Sequence, residues 1–331
     1  MSATPAADPA LVAGVLAGER RALAKAITLI ESTRRDHQHR GQAVMETLLP
    51  HTGRSIRVGI SGAPGVGKST FIEALGLHVI GQGHKLAVLA VDPSSSVTGG
   101  SILADKTRME ELSRAPEAFI RPSPAGGSLG GVAARTREAL LVCEAAGFDV
   151  IIVETVGVGQ SETAVARMTD LMVLLQLPIA GDDLQAIKKG IVELADLIVI
   201  SKADLAPERA KQAQHTLKSA LAILRPTSPR WKPPVLALSA HDPKAVAAFW
   251  SEVERYRGVM QASSEFAARR RDQAQDWMWH LIDERLRADF RSHPGVGSLL
   301  RSLQDAVAAG RISPGTAADR LLARARSESV G

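Results

Sequence analysis

From residue 56 to residue 240 the apolar positions gather into short unbroken runs, at 56–61, 86–91, 118–121, 150–154, 171–177, 197–200 and 235–238. Longer stretches with helical spacing separate them. Strands that are apolar throughout, alternating with helices, predict an α/β fold: a mostly parallel central sheet covered by helices on both faces. In such a sheet ligands collect outside the carboxyl ends of the strands. Upstream, residues 11–49 read as two helices, with Leu16, Leu23, Ile27 and Ile30 near helical spacing and a polar stretch at 34–40 between them. Beyond His241 the pattern is helical to the end. Asp242-Pro243 opens a helix that runs to Tyr256. A long helix follows from about Glu265 to Arg291, His293-Pro294-Gly295 breaks it, and a third helix covers 298–309. Ser313-Pro314 opens the last, with Ser as N-cap and Pro in the first helical position. The expected organisation is an N-terminal helical extension (1–50), a sheet domain (51–260) and a C-terminal helical arm (261–331). On the long helix Met278, Ile282 and Leu286 form one apolar stripe, with Trp277 and Leu281 beside it. Such a stripe needs cover, from the sheet domain or from a second copy of the chain. A dimerisation arm is the expectation.

Composition narrows the setting. The 331 residues are 45% hydrophobic but only 3% aromatic, so Leu, Val, Ile and Ala must fill the core. The single cysteine, Cys143, sits in an apolar helical stretch, which excludes a disulfide framework and speaks for a buried structural thiol. No apolar run approaches the roughly 20 residues of a membrane span. The start of the chain lacks a basic-then-apolar signal pattern. A cytoplasmic protein with no membrane partner is expected. The net charge of +5 is mild, and scarce aromatics argue against a nucleic-acid surface. The densest basic cluster, Arg269-Arg270-Arg271, reads at least as well as a solvated helix face.

The run at 56–61 leads directly into Gly62-Ala63-Pro64-Gly65-Val66-Gly67-Lys68-Ser69-Thr70, and residues 71–81 read as a helix. Strand, glycine-rich loop and helix in this order make a phosphate-binding P-loop. The glycines let backbone N–H groups wrap an anion, and the positive end of the helix adds to the field. Lys68 is expected to reach the β- and γ-phosphates, and the Ser69 hydroxyl to bind Mg²⁺. The run at 150–154 ends in Glu154, followed by Thr155-Val156-Gly157, which is Walker B-like with Glu in place of Asp. Glu154 is a candidate for Mg²⁺, directly or through water. The Gly157 N–H is placed to meet a γ-phosphate, so the segment through Gln160 reads as a nucleotide-sensing switch. Asp92, at the end of the run at 86–91, suits the metal or its water. Asp105 lies in a polar turn, where a carboxylate would position water, bind Mg²⁺, or simply face solvent.

Ser201-Lys202-Ala203-Asp204 follows the run at 197–200 and resembles the N-K-x-D base-reading element. A carboxylate at Asp204 accepts from guanine N1–H and its 2-amino group, which adenine does not offer. The Lys202 stem can lie over the base. Ser201 stands where Asn is usual, which puts a contact to the base or the P-loop in question. Ser239-Ala240, followed by His241, ends the last strand and matches the element whose backbone supports guanine O6. GTP and GDP are therefore the expected nucleotides.

These stretches, together with Asp92-Pro93-Ser94-Ser95, Gly99-Gly100-Ser101-Ile102-Leu103-Ala104-Asp105-Lys106-Thr107-Arg108-Met109, Glu154-Thr155-Val156-Gly157-Val158-Gly159-Gln160-Ser161-Glu162 and Gly181-Asp182-Asp183-Leu184-Gln185, resemble the MeaB/ArgK-type GTPases, chaperones of methylmalonyl-CoA mutase and related enzymes. The resemblance covers nearly the whole chain, and Ser201 is its clearest departure. It implies a slow GTPase that binds an adenosylcobalamin-dependent acyl-CoA mutase, gates cofactor loading, and protects or reactivates the enzyme. It implies that Asp92, Asp105 and Glu154 serve the metal and the attacking water, and that residues 178–188 form a further switch, with Asp182 and Lys188 as sensors. It also implies a homodimer through the C-terminal helices. Two other readings share the P-loop scaffold. A nickel-insertion GTPase needs Cys/His clusters, which one Cys and nine scattered His supply poorly. A P-loop kinase needs a second-substrate pocket and does not need Ser201–Asp204.

Overall fold

A computed structural model describes residues 8–32, 34–91, 109–122, 129–155, 161–178, 189–223 and 228–327. The strands are mostly apolar because both faces of the sheet are covered. They are β1 (Ile56–Gly62), β2 (Leu86–Val91), β3 (Ala118–Arg121), β4 (Val150–Thr155), β5 (Leu171–Gln176), β6 (Leu197–Ile200) and β7 (Val235–Ala237). They form one sheet in the order β3-β2-β4-β1-β5-β6-β7, and every pairing is parallel. The chain crosses from one side of β1 to the other between β4 and β5. The carboxyl end of β1 thus lies at the point where ligands bind in open α/β sheets.

Alternate residues of each strand feed different cores. Ile56, Val58 and Ile60 of β1 join Val88 of β2 in a layer closed by helix Lys68–Gly81 and helix Pro243–Ala262, whose Phe249, Val253 and Tyr256 are buried. Ala87, Leu89, Ile151 and Val153 face the other way, onto helix Leu129–Ala145. The N-terminal helices share that layer through Leu11, Val15, Leu23, Ile27, Val44 and Leu48. Arg20 reinforces the contact by donating to Ala115 O (3.0 Å) and Ala118 O, and Arg121 pairs with Glu31. Cys143 is fully buried in the same layer, and burial pushes its thiol well above the usual range.

The N-terminal segment holds three helices, Pro9–Leu16, Arg20–Ile30 and Arg35–Leu48, where the apolar spacing indicated two. Gly18, at φ +75°, turns the chain between the first two, a conformation cheap only for glycine. Asp8 caps the first, its carboxylate accepting from Leu11 N at 3.2 Å.

Polar groups gather at the amino ends of the strands. Glu144, on helix Leu129–Ala145, accepts from Arg57 Nε (2.9 Å) and Nη2 (2.8 Å), from Gly53 N (2.9 Å) and from the Ser55 hydroxyl. The Arg57 and Glu144 side chains are only 7% and 1% exposed. Asp170, just before β5, accepts from Arg57 N at 2.8 Å. Asp196, just before β6, accepts from Met172 N at 2.9 Å and pairs with Arg269, whose Nη1 and Nη2 lie 3.1 Å from its Oδ2. Arg269 also donates to the Tyr256 hydroxyl (2.8 Å), which donates to Asp170 O (2.6 Å). Burial raises the Tyr256 pKa, keeping it a neutral phenol. Arg269 therefore does not belong to a solvated face, as its basic run suggested; a buried carboxylate distant in sequence claims it.

The chain divides into two compact units, Met1–Arg269 and Arg270–Gly331. In the second, the helix begun at Glu265 continues to Ser292, followed by Pro294–Ala308 and Pro314–Ser327. Pro294, expected in a break, is the first residue of its helix, where its missing N–H costs nothing. Ser313 Oγ accepts from Thr316 N at 3.1 Å, the N-cap expected there. Met278, Trp279 and Leu286 are exposed.

Removing one partner of a buried pair strands the other charge, which costs about 3–5 kcal/mol. Glu144→Ala is therefore expected to lower unfolding stability by that amount in urea titrations. Glu208→Ala, which breaks an exposed pair with Lys211 (3.0 Å), should stay within about 0.5 kcal/mol of the parent. Equal effects of the two changes would contradict the role given to Glu144.

Candidate active site

The loop after β1 takes the shape its glycines permit. Gly65 (φ +77°) and Gly67 (φ +96°) are left-handed, and Gly67 caps the helix Lys68–Gly81. A Cβ on Gly62 would lie 2.5 Å from the backbone oxygen of Leu175, so β1 leaves the sheet there only without a side chain. Val66 is fully buried and plugs the loop into the core. Ala63, Pro64 and Gly65 are exposed at the rim. The Lys68 ammonium donates to Gly62 O (2.7 Å) and Ala63 O (3.2 Å), which holds the charge in the mouth of the loop. Ser69 is half-buried and Thr70 exposed, both in the first helical turn.

Glu154 lies near the end of β4, in register with Ile60 of β1 and Ala90 of β2, and is half-buried. Its carboxylate therefore belongs to the strand ends beside the loop. The next residue, Thr155, is buried and donates to Ser61 Oγ at 2.9 Å.

On the other side, the turn after β6 is fastened to the loop. The Ser201 hydroxyl lies 2.8 Å from Val66 O and 3.1 Å from Gln176 O. Lys202 adopts a left-handed backbone (φ +53°) and donates from Nζ to Gly65 O at 2.8 Å. Ala203 N bonds to Leu238 O at 3.2 Å, tying this turn to the end of β7, where His241 N bonds to Ser239 Oγ at 3.2 Å. Between them lies a pocket of about 180 Å³. Val66, Gly67 and Thr70 line it from the loop and helix; Ser201, Lys202 and Asp204 from the turn after β6; Ser239, Ala240 and His241 from the end of β7. These three sequence-distant elements are those read as phosphate and base binders, and the fold brings them together. Phe71, Leu205 and Leu238 also line the pocket. Sequence reasoning passed over them because an apolar residue after a motif looks like core; the exposure of Leu205 is the one signal that marks it.

The arrangement suits a phosphorylated purine: an anion-wrapping loop and a lysine at one end, and a pocket lined by a carboxylate at the other. Asp92, Asp105, Gly157, Gln160, Asp182 and Lys188 lie outside the described residues.

Comparisons agree with this geometry. The family model of the methylmalonyl-CoA mutase-associated GTPase MeaB matches residues 23–295. GTPase ArgK of Escherichia coli is 46% identical over 300 residues, covering 90% of this chain and 91% of that one. The mitochondrial methylmalonic aciduria type A homolog of Mus musculus is 47% identical over 325 residues, covering 94% of this chain and 78% of that one. The crystal structure of the LAO/AO transport system kinase has a TM-score of 0.77, with 38% identity and 95% of each chain covered.

Two substitutions test the site. Lys68→Ala is expected to abolish GTP hydrolysis and weaken triphosphate binding. Asp204→Asn removes charge-assisted hydrogen bonds of about 1.5–3 kcal/mol, so GTP affinity should fall roughly 10- to 150-fold while xanthosine triphosphate gains. Competition titrations with GTP, ATP and xanthosine triphosphate read this out, and an unchanged order would remove Asp204 from the base-reading role.

Proposed function

Because the chain belongs to the family of methylmalonyl-CoA mutase-associated GTPases, we propose that it is the GTP-hydrolysing chaperone of an adenosylcobalamin-dependent acyl-CoA mutase, methylmalonyl-CoA mutase, and that it gates cofactor loading and protects or reactivates that enzyme. The observation that carries the nucleotide part is the pocket shared by Gly67, Lys202, Asp204 and Ala240, which runs from the P-loop to the base-reading turn.

In this reading the loop N–H groups and Lys68 hold the β- and γ-phosphates, and Asp204 and the Ser239-Ala240 backbone select guanine. Ser69 and Glu154 fit a Mg²⁺ ion by their chemistry: a hydroxyl and a carboxylate are hard oxygen donors, and this ion takes one or two protein carboxylates and completes its shell with phosphate oxygens and water. Among the described residues no group of three His, Cys, Asp or Glu could hold a metal. The ion would supply charge neutralisation at the β- and γ-oxygens. Asp92 and Asp105 join Glu154 in serving the metal and orienting water. Gly157 to Gln160 read the γ-phosphate, and residues 178–188, through Asp182 and Lys188, relay that state to the mutase. These assignments rest on family resemblance and motif position.

The chain works as a cytoplasmic homodimer in this reading. The exposed Met278, Trp279 and Leu286 of the second unit support a C-terminal dimer contact. Among the described residues no helix is long and apolar enough to cross a membrane. A nickel-insertion role is disfavoured by Cys143, the single cysteine: its thiol is buried and its pKa raised, so it is a poor metal ligand.

GTP turnover measured alone and with purified methylmalonyl-CoA mutase tests the proposal. Turnover is expected to rise severalfold with the mutase, to be absent with ATP, and to accompany co-elution of the two proteins on gel filtration. Unchanged turnover and separate elution would refute it. Phosphate transfer to an acceptor other than water would favour a kinase, and stoichiometric nickel binding a metallochaperone.

A further inference from the structure

The strands of this sheet are filled mainly with apolar side chains, yet two buried hydroxyls meet beside the phosphate loop. Thr155 is 0% exposed and Ser61 1%, and Thr155 Oγ1 donates to Ser61 Oγ at 2.9 Å. Their position is specific. The β1–β4 ladder runs from Ile56↔Val150 to Ile60↔Glu154 and stops there. One residue further on, Ser61 registers with Leu174 of β5 and Thr155 with Val91 of β2, and these two residues are the next in line on β1 and β4. The hydroxyl bond continues the tie between the two strands one residue beyond the last ladder pair. On one side of it is Gly62, where the phosphate loop begins. On the other is Glu154, one residue back along β4. A valine–alanine pair would fill the same space without the desolvation cost of two hydroxyls, so packing alone does not account for them.

We propose that Thr155 and Ser61 form a positioning pair for GTP hydrolysis, holding the end of β4, and with it the Glu154 carboxylate, in fixed register with the phosphate loop. This rests on the role given above to Glu154. Neither hydroxyl touches substrate in this reading. They act by extending the β1–β4 tie one residue past the pair that holds Glu154, and a displacement of about 1 Å at a reacting group is enough to cost up to roughly 100-fold in rate.

The test is steady-state GTP hydrolysis by the full chain and its Thr155→Val, Thr155→Ser, Ser61→Ala, Glu154→Gln and T155V/S61A variants. T155V keeps the shape and deletes the donor, and should lower kcat roughly 10- to 100-fold with little change in KM. S61A should do the same, T155S should restore kcat, and the double variant should be no slower than either single one. A merely structural role predicts a lower melting temperature with kcat intact, or single effects that multiply in the double variant; either result overturns the positioning pair. Glu154→Gln separates the two readings. If it is slow while T155V is not, the positioning proposal alone falls. If Glu154→Gln retains full kcat, the role of Glu154 falls and the proposal falls with it.

Discussion

A parallel sheet covered on both faces leaves polar chemistry only two places to go, the two ends of its strands. This constraint organises the molecule. At the amino ends, carboxylates take up the leading N–H groups: Asp170 accepts from Arg57 N and Asp196 from Met172 N. Each is embedded in a wider network, with Arg57–Glu144 on one side and Arg269–Tyr256 on the other. Buried ion pairs of this kind contribute little net stability against an apolar alternative, but are costly to half-dismantle. Their effect is to fix the starts of β1, β5 and β6. Those same strands deliver, at their far ends, the phosphate loop, Gln176 and the Ser201–Asp204 turn.

At the carboxyl ends the phosphate loop is fastened from both sides. Ser201 and Lys202 bond to the carbonyls of Val66 and Gly65 on one side, and Thr155 reaches Ser61 on the other. The loop carbonyls of Gly62, Ala63, Gly65 and Val66 are occupied by protein donors. Ser201 departs from the usual asparagine but keeps the tie to Val66. A hydroxyl carries one proton, so it serves Val66 O or Gln176 O at a given moment, where a carboxamide has two donors. The departure reduces the capacity of the contact without removing it.

Family membership and site geometry support each other at different levels. The match over 23–295 and the relatives identify a GTPase. The pocket brings together a loop, a turn and a strand end far apart in the chain, the three elements of the proposed nucleotide site.

What the sequence determined by itself was whatever is written locally. A strand buried on both faces appears as an unbroken apolar run, so the runs at 86–91 and 197–200 coincide with β2 and β6. The phosphate loop was legible because glycine is demanded by backbone conformation, as at Gly65 and Gly67. Asp204 stood out as a candidate because a carboxylate after a β-strand and a lysine has a distinctive chemistry, and it lines the pocket. The Gly18 turn and the helical start at Pro294 were not, since a glycine or a proline marks a break and a helix start with the same letter. Only tertiary structure decided which distant residues meet. Thr155 and Ser61 are 94 positions apart, Arg269 and Asp196 are 73 apart, and Ser201 and Val66 are 135 apart. Ser, Thr and Arg carry no local periodic signature that names a partner. Strand order and register supply it, by bringing one end of each element to one edge of the sheet.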